Sequence, residues 1–523
     1  DLQTHLSSGI HLSCFIQCFA RLNNEPGTAL KQIAFLPLLR DCLYVDTIIF
    51  LPTSEIGTKS RKGSRGSPFA VRDPFSISRD LADPLLPNLA SIDQYKALVA
   101  ACTLCGMKVG SIVPLVTLSV DSPLFEQNPS LGYWWGAPPE KKLYQSEVPS
   151  CLIQRIVDQS YASLFCDPED VSPRAAVDGI NPNAKSPVIC ALVNALPEPV
   201  VADPNTYTWS DVSSIRFSTS SVPPTHGSGP KGVWDYNLPA FEILPKVLQW
   251  RQSQLGENAF LIDVATSLPT EVIRRANLSS CTLFGEFISE FTPPSGAYNA
   301  VTGPLVSGVG PNWADVDTHL TSLMDCLLHL QNTIDDVKYL AGVANHDSRP
   351  APPNIATAFL AATWLLPGAI PFLYSGTAFG SDILTNAEFG FQAHDLLTIQ
   401  EGDLALFNDV DPWVTCIGPQ KIVDFVKRFL PVRKEIQSLL GADPVIGAVD
   451  LSGGSLSYSL KGKSSASIEL RVIFNRGPGD LLFELEPEDV IMFTVGDVET
   501  SEAQATLHMQ GVSTAILMSE CDV

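Results

Sequence analysis

Residues 355–374 read IATAFLAATWLLPGAIPFLY, an apolar stretch of about the 20 residues that a bilayer crossing needs. Pro367-Gly368 divides it. A helix-compatible piece precedes that pair and the β-prone run 370–374 follows it, the pattern of a buried helix leading into a buried parallel strand. The stretch is therefore read as protein core, and no membrane span is expected.

The same rhythm extends outward through the first 430 residues. Short apolar runs at 11–17, 47–51, 108–113, 188–192, 260–264, 282–287, 339–343 and 370–374 read as strands, and stretches of helical period at 28–42, 91–105, 238–253, 316–334 and 421–440 read as helices. Strands alternating with helices argue for an α/β fold with parallel strands and helical crossovers, either a doubly wound sheet or a barrel. Between 121 and 237 the rhythm breaks into Pro-, Ser- and Asn-rich sequence such as STSSVPPTHGSGPK at 218–231. An insertion of that length inside a compact domain is usually a functional loop region. Beyond 442 the helical period disappears, and alternating runs at 455–461, 467–474, 480–485, 489–494, 505–509 and 513–518 predict a separate antiparallel β domain. The expected division is 1–120, 121–237, 238–441 and 442–523, with the insertion carrying part of the α/β unit.

Composition narrows the function. Among 523 residues, Lys+Arg 33 against Asp+Glu 56 gives a net charge of −23, which excludes a nucleic-acid binder that neutralises phosphates with clustered cations. Charged residues are 17% where about 25% is usual, so the chain either buries an unusual share of itself or keeps a weakly charged face for a protein partner or a second copy. The 12 cysteines are scattered and mostly apolar in context, hence buried thiols. Cys102 and Cys105 form a Cys-x-x-Cys on a helical stretch, without the second pair that a zinc site needs. No metal or cofactor is expected. The first residues, Asp1-Leu2-Gln3-Thr4-His5, lack the basic region of a signal peptide, which leads to the expectation of a cytoplasmic protein. Asn277-Leu278-Ser279 fits a glycosylation sequon, and His226 stands alone in the Pro/Ser/Gly loop.

Reactive groups in parallel α/β folds sit where strands end. Asp263 closes Ala259-Phe260-Leu261-Ile262-Asp263, Glu286 closes Leu283-Phe284-Gly285-Glu286, and Asp347 follows the seventh run in Asn345-His346-Asp347. A carboxylate at an apolar strand end carries a desolvation cost, which is met when it is paired or does chemical work. The bland alternatives are a structural pair for His346 and Asp347, and a solvated loop acid beside Glu290 for Glu286. Tyr133-Trp134-Trp135, in the insertion, either stack on sugar faces or cover the rim of the fold.

These residues resemble the α-amylase superfamily, glycoside hydrolase family 13. Phe260-Leu261-Ile262-Asp263-Val264 is similar to its fourth-strand motif, Phe284-Gly285-Glu286 to the fifth, Ala344-Asn345-His346-Asp347 to the seventh, and Pro371-Phe372-Leu373-Tyr374-Ser375-Gly376 to the eighth. Ile48-Ile49-Phe50-Leu51-Pro52 and Gly66-Ser67-Pro68-Phe69-Ala70 resemble the second strand and the Ser-Pro-Tyr-Ala segment after it. The resemblance implies a (β/α)8 TIM barrel with a loop-rich insertion after strand 3 and a C-terminal antiparallel β-sandwich. It implies a retaining glycosidase or transglycosylase acting on α-glucans or oligosaccharides, with Asp263 as nucleophile, Glu286 as acid/base and Asp347 as stabiliser. Substrate-binding residues would be His346, Asn345, Phe69, Tyr133, Trp134 and Trp135.

Several positions depart from that pattern. The family places Arg two residues before the nucleophile, where this chain has Leu261. The third-strand Asp-x-x-x-Asn-His is missing, with Ser111 near the Asp position, and Thr266 and Ala378 replace a basic residue and a Glu. A charge-assisted hydrogen bond lost from a buried carboxylate costs about 1.5–3 kcal/mol. Two functions remain open from sequence: an α-glucan-active enzyme of reduced rate, or an inactive barrel kept as a binding or scaffold subunit.

Overall fold

In the computed structural model, residues 9–14, 27–59, 67–135, 144–145, 190–192, 212–219, 233–278, 280–287, 296–302, 316–332, 338–345, 351–378, 420–441, 444–452, 455–463, 468–477, 479–501 and 505–520 are described. Eight parallel strands close into a barrel. They are β1 (Ile10–Cys14), β2 (Val45–Phe50), β3 (Lys108–Pro114), β4 (Ala259–Asp263), β5 (Thr282–Gly285), β6 (Ala300–Val301), β7 (Tyr339–Ala341) and β8 (Ala369–Tyr374). Closure is made by β1, where His11 stands opposite both Thr47 of β2 and Phe372 of β8. The helices on the outside are α1 (Ala29–Ile33), α2 (Ser91–Leu104), α3 (Ala240–Trp250), α4 (Thr270–Ala276), α5 (Val316–Asn332), α6 (Pro353–Thr363) and α7 (Gln420–Leu440).

Seven of the eight expected strands belong to the barrel. The run at 188–192 does not: its described residues, Cys190–Leu192, pair with Trp134–Trp135 and Tyr144–Gln145 in a small separate sheet. The sixth barrel strand is instead β6, whose two-residue ladder is too short to leave a pattern in the sequence.

Pleating sorts the side chains. The His11 and Phe284 rings, from strands on opposite sides of the barrel, meet edge to face at 5.4 Å, so both point inward. Parallel register then carries the inward set to Leu261, beside Phe284, and to Ile112, beside Leu261. Outward residues meet the helices, as Phe50 does with Tyr95 of α2 at 6.3 Å.

That outer layer holds an ion pair that water does not reach. The α3 helix runs on through a wide turn, Arg251–Leu255, and stops at Gly256, whose φ of 80° suits a residue without Cβ. The reversal lays Arg251 against Glu257, at 2.8 Å and almost wholly buried. Ser111 and Tyr95 donate to the same carboxylate, and the guanidinium donates to Thr53 and Ser54. Ser111 thus faces outward into this network.

The decisive stretch folds as read. Helix α6 begins with Pro353 at its first turn, and Gly368 at φ 72° reverses the chain into β8. Every residue of β8 is buried, and nearly all of α6. A helix apolar all round is one covered on all sides, and the cover on its outer face is the C-terminal sheet. That sheet comprises β9 (Val445–Ser452), β10 (Ser455–Lys461), β11 (Ile468–Arg476), β12 (Leu481–Glu484), β13 (Val490–Ser501) and β14 (Thr506–Glu520). The long β14, expected as two strands, pairs with β12 along its first half, with β11 along its second, and with β13 throughout. One face packs on α6: Phe359 meets Phe474 at 4.6 Å, Thr514 donates to Ala358 O at 2.9 Å, and Tyr458 donates to Ala362 O. Each such buried Phe contributes about 1.5–3 kcal/mol. The buried Arg433 of α7 clasps the α6–β8 turn, donating to the carbonyls of Trp364 at 2.8 Å and Ala369 at 3.3 Å, and burial draws its pKa down to about 10. No described helix is long and apolar enough to cross a membrane.

Removing one partner of a buried ion pair strands the other. Glu257→Ala should therefore lower unfolding free energy by about 3–5 kcal/mol in urea denaturation, and a loss under about 1 kcal/mol would show that Arg251 finds water. In the C-terminal sheet, burial alone pushes the Asp489 carboxyl up. Hydrogen bonds from Ser519, Arg471 and the Glu486 N–H, with the Arg471 charge, more than offset this and hold it below the usual carboxylate range. A depressed folded pKa adds stability that is complete above the unfolded value of about 4 and is lost as pH falls through the folded one. The stability gap between the native chain and Asp489→Asn should be flat near neutrality and shrink below about pH 4; a gap constant down to strong acid would contradict this.

Candidate active site

Asp263 is the last residue of β4, two after the inward Leu261, and its strand partner on β3 is Pro114. Glu286 follows β5, two after the inward Phe284, and its N–H donates to Ile262 O at 3.0 Å. Alternation therefore turns both acids toward the barrel axis at the C-terminal rim, on neighbouring strands. Both are half-buried.

They are linked through the backbone. Val264, next after Asp263, adopts a left-handed conformation at φ 45° and ψ 46°, and its N–H donates to Glu286 Oε2 at 2.8 Å. A β-branched residue rarely stands there. Phe287, after Glu286, is held on β6 by Thr302, whose Oγ1 accepts from the Phe287 N–H at 3.1 Å. Phe287 also packs on Tyr298 at 5.5 Å.

The residues beneath the acids are apolar. Leu261, where the family Arg would be, is 6% exposed inside the barrel, and Ile112 points inward beside it. Ser111, expected near the third-strand Asp position, faces away into the Arg251–Glu257 network. The described part of the site therefore brings no cationic side chain from β3 or β4 to the acids.

Around the rim, Asp121 straps the loop after β2 to the segment after β3. It accepts from the Thr58 N–H at 3.0 Å and hydroxyl at 2.7 Å, and from Ser119 at 2.6 Å. Gly57 permits this approach, because a Cβ there would fall 1.9 Å from Ser119 Oγ.

The other expected site residues divide. Asn345 is buried beyond the end of β7, and Phe69 is buried next to Ser67. Tyr133 is 3% exposed, and burial pushes its hydroxyl up to about 12 against the opposing effects of Ser218 and Arg216. The Trp134–Trp135 backbone pairs with Leu192 and Ala191. His346 and Asp347 lie outside the described residues, as does His226. Val264 had no sequence signal, since nothing in a valine announces a left-handed turn. Of the cysteines, Cys102 is buried on α2 with its thiol pushed up to about 12 by burial. Among the described residues no group of three His, Cys, Asp or Glu could hold a metal ion.

No family profile matches the chain, and no curated protein matches it by sequence. The fold is shared with solved glycosidases. An α-amylase from Lactobacillus plantarum is 16% identical at a TM-score of 0.60, with 98% of this chain and 99% of that one covered. A trehalose-6-phosphate hydrolase from Bacillus licheniformis is 13% identical at 0.63, with 99% and 100% covered. An α-amylase from Geobacillus thermoleovorans, solved with acarbose, is 12% identical at 0.60, with 99% of each chain covered. The resemblance read from the motifs therefore holds for the fold from end to end, barrel and C-terminal β domain alike.

If Leu261 fills the barrel interior, Leu261→Ala should cost about 2–5 kcal/mol of stability in equilibrium unfolding. A cost under about 1 kcal/mol would mean that the side chain does not pack there.

Proposed function

We propose that the chain is a family 13-like glycosidase or transglycosylase that cleaves α-glucosidic bonds of α-glucans or oligosaccharides with retention, at a rate reduced by its apolar site floor. The observation that carries this reading is the pair Asp263 and Glu286 at adjacent strand ends, facing one barrel axis. The names of the structural neighbours, α-amylase and trehalose-6-phosphate hydrolase, support the same class of reaction.

Retaining chemistry needs two carboxyl groups about 5–5.5 Å apart. An Asp263 oxygen attacks the anomeric carbon as the glycosidic bond breaks, and the bond's electron pair leaves on the aglycone oxygen. That oxygen takes the proton of Glu286. In the second step Glu286 removes a proton from water, or from a sugar hydroxyl in transfer, which displaces Asp263 and restores the original configuration. Asp347, with His346 and Asn345, would hold the sugar ring by analogy, while Phe69 and the Tyr133-Trp134-Trp135 segment would border it. Leu261 withholds the guanidinium that would orient Asp263, a loss of about 1.5–3 kcal/mol, or roughly 10- to 200-fold in rate.

The same Leu261 and Ile112 favour a second reading, a barrel that binds glucan, a protein partner or a second copy without turnover. Maltooligosaccharide binding without product, together with a stable partner in native mass measurements, would select it.

Kinetics separate the roles. Asp263→Asn should abolish turnover of both maltooligosaccharide and α-glucosyl fluoride. Fluoride needs no protonation to leave, so Glu286→Gln should slow the oligosaccharide about 100- to 10,000-fold and the glycosylation step with fluoride far less. Equal rates for the native chain and Asp263→Asn would end the proposal.

A further inference from the structure

Val264 combines two facts that its neighbours do not share. It is the one β-branched side chain among the described non-glycine residues with positive φ, a conformation that crowds Cβ against the following carbonyl. Its side chain is nonetheless buried, at 6% exposure, and its N–H donates to Glu286 Oε2 at 2.8 Å. A short turn secures the geometry, with the Ser267 N–H donating to Val264 O at 2.9 Å. Strain at such a position persists only when the surroundings impose it, and it concentrates at functional sites.

We infer that the Val264 amide is a positioning group for the acid/base: it holds Oε2 as an acceptor and so biases the proton of Glu286 toward Oε1. This rests on the reading of Glu286 as acid/base given above. An amide N–H only donates, and the carbonyl oxygen of a carboxylic acid is a better acceptor than its hydroxyl oxygen, so the bond favours the form in which Oε2 is the carbonyl and Oε1 carries the proton. The protonated acid then presents a single oxygen to the leaving group, and in the second step the hydrogen bond steadies the carboxylate. With Leu261 unable to donate, the backbone N–H three residues on supplies a fixed dipole to Glu286. Because the donor belongs to the main chain, no side-chain change other than to proline removes it.

The test replaces Val264 in the full chain with its α-hydroxy acid, which turns the amide into an ester, deletes the N–H and keeps the isopropyl group. The Glu286 carboxyl is titrated by NMR of carboxyl-labelled glutamate, its signal identified by its loss in Glu286→Gln. The expected result is a midpoint raised by about 1–2 pH units, with Val264→Ala, which keeps the N–H, close to the native value. With maltooligosaccharide, whose leaving oxygen takes the Glu286 proton, the alkaline limb of kcat/KM should move up by the same amount while KM changes little, whereas α-glucosyl fluoride, which needs no proton to leave, should show no such shift. A folded ester variant with an unmoved midpoint overturns the inference. If the native chain turns over neither substrate, the proposed function falls, and the midpoint still judges the positioning. Should the ester variant not fold, the native chain gives the answer. The Val264 amide proton must shift with the Glu286 midpoint and cease to do so in Glu286→Gln, and an amide insensitive to that midpoint counts against the inference.

Discussion

Closure of the barrel at β1 is the constraint on which the rest depends. A five-residue strand hydrogen-bonds to β2 on one edge and β8 on the other, and an open sheet would leave those edges unpaired. Closure defines an inside, and the two-residue alternation of each strand then decides which side chains enter it. Asp263 and Glu286 converge because they end neighbouring strands in the same phase as Leu261 and Phe284. Each would face the helices if its strand were shifted by one residue.

The C-terminal sheet completes the structure from outside. Its strands cover α6, which without them would expose Phe359 and its apolar neighbours to water. This explains why the stretch at 355–374 has the hydropathy of a membrane span and yet breaks at Pro367-Gly368: the helix has protein on every side, and the strand after it lies inside a closed sheet.

Much of this was legible in the sequence because long periodic segments announce themselves. The helices at 91–105 and 421–440 and the strand at 108–113 fall within a residue or two of α2, α7 and β3. The sixth strand was not legible, since Ala300–Val301 is too short for any period, while the apolar run at 188–192 imitated it from another sheet. The acids were legible as polar residues at the ends of apolar runs. What they rest on was not: sequence placed Ser111 near the site, and only pleating shows that Ser111 faces Glu257 while Gly110 and Ile112 face inward. The link between the acids is a backbone conformation at Val264, which no side-chain pattern encodes.

The account stands on Asp263 as the group that attacks the sugar, and trapping the covalent intermediate tests it most directly. A ring-fluorinated α-glucosyl fluoride slows release of the glycosyl-enzyme ester, so that digestion and peptide mass spectrometry locate the attached sugar. The account predicts one added glycosyl group on the peptide containing Asp263, absent from Asp263→Asn. A sugar carried on a different residue, or no labelling under conditions where substrate is consumed, would contradict it.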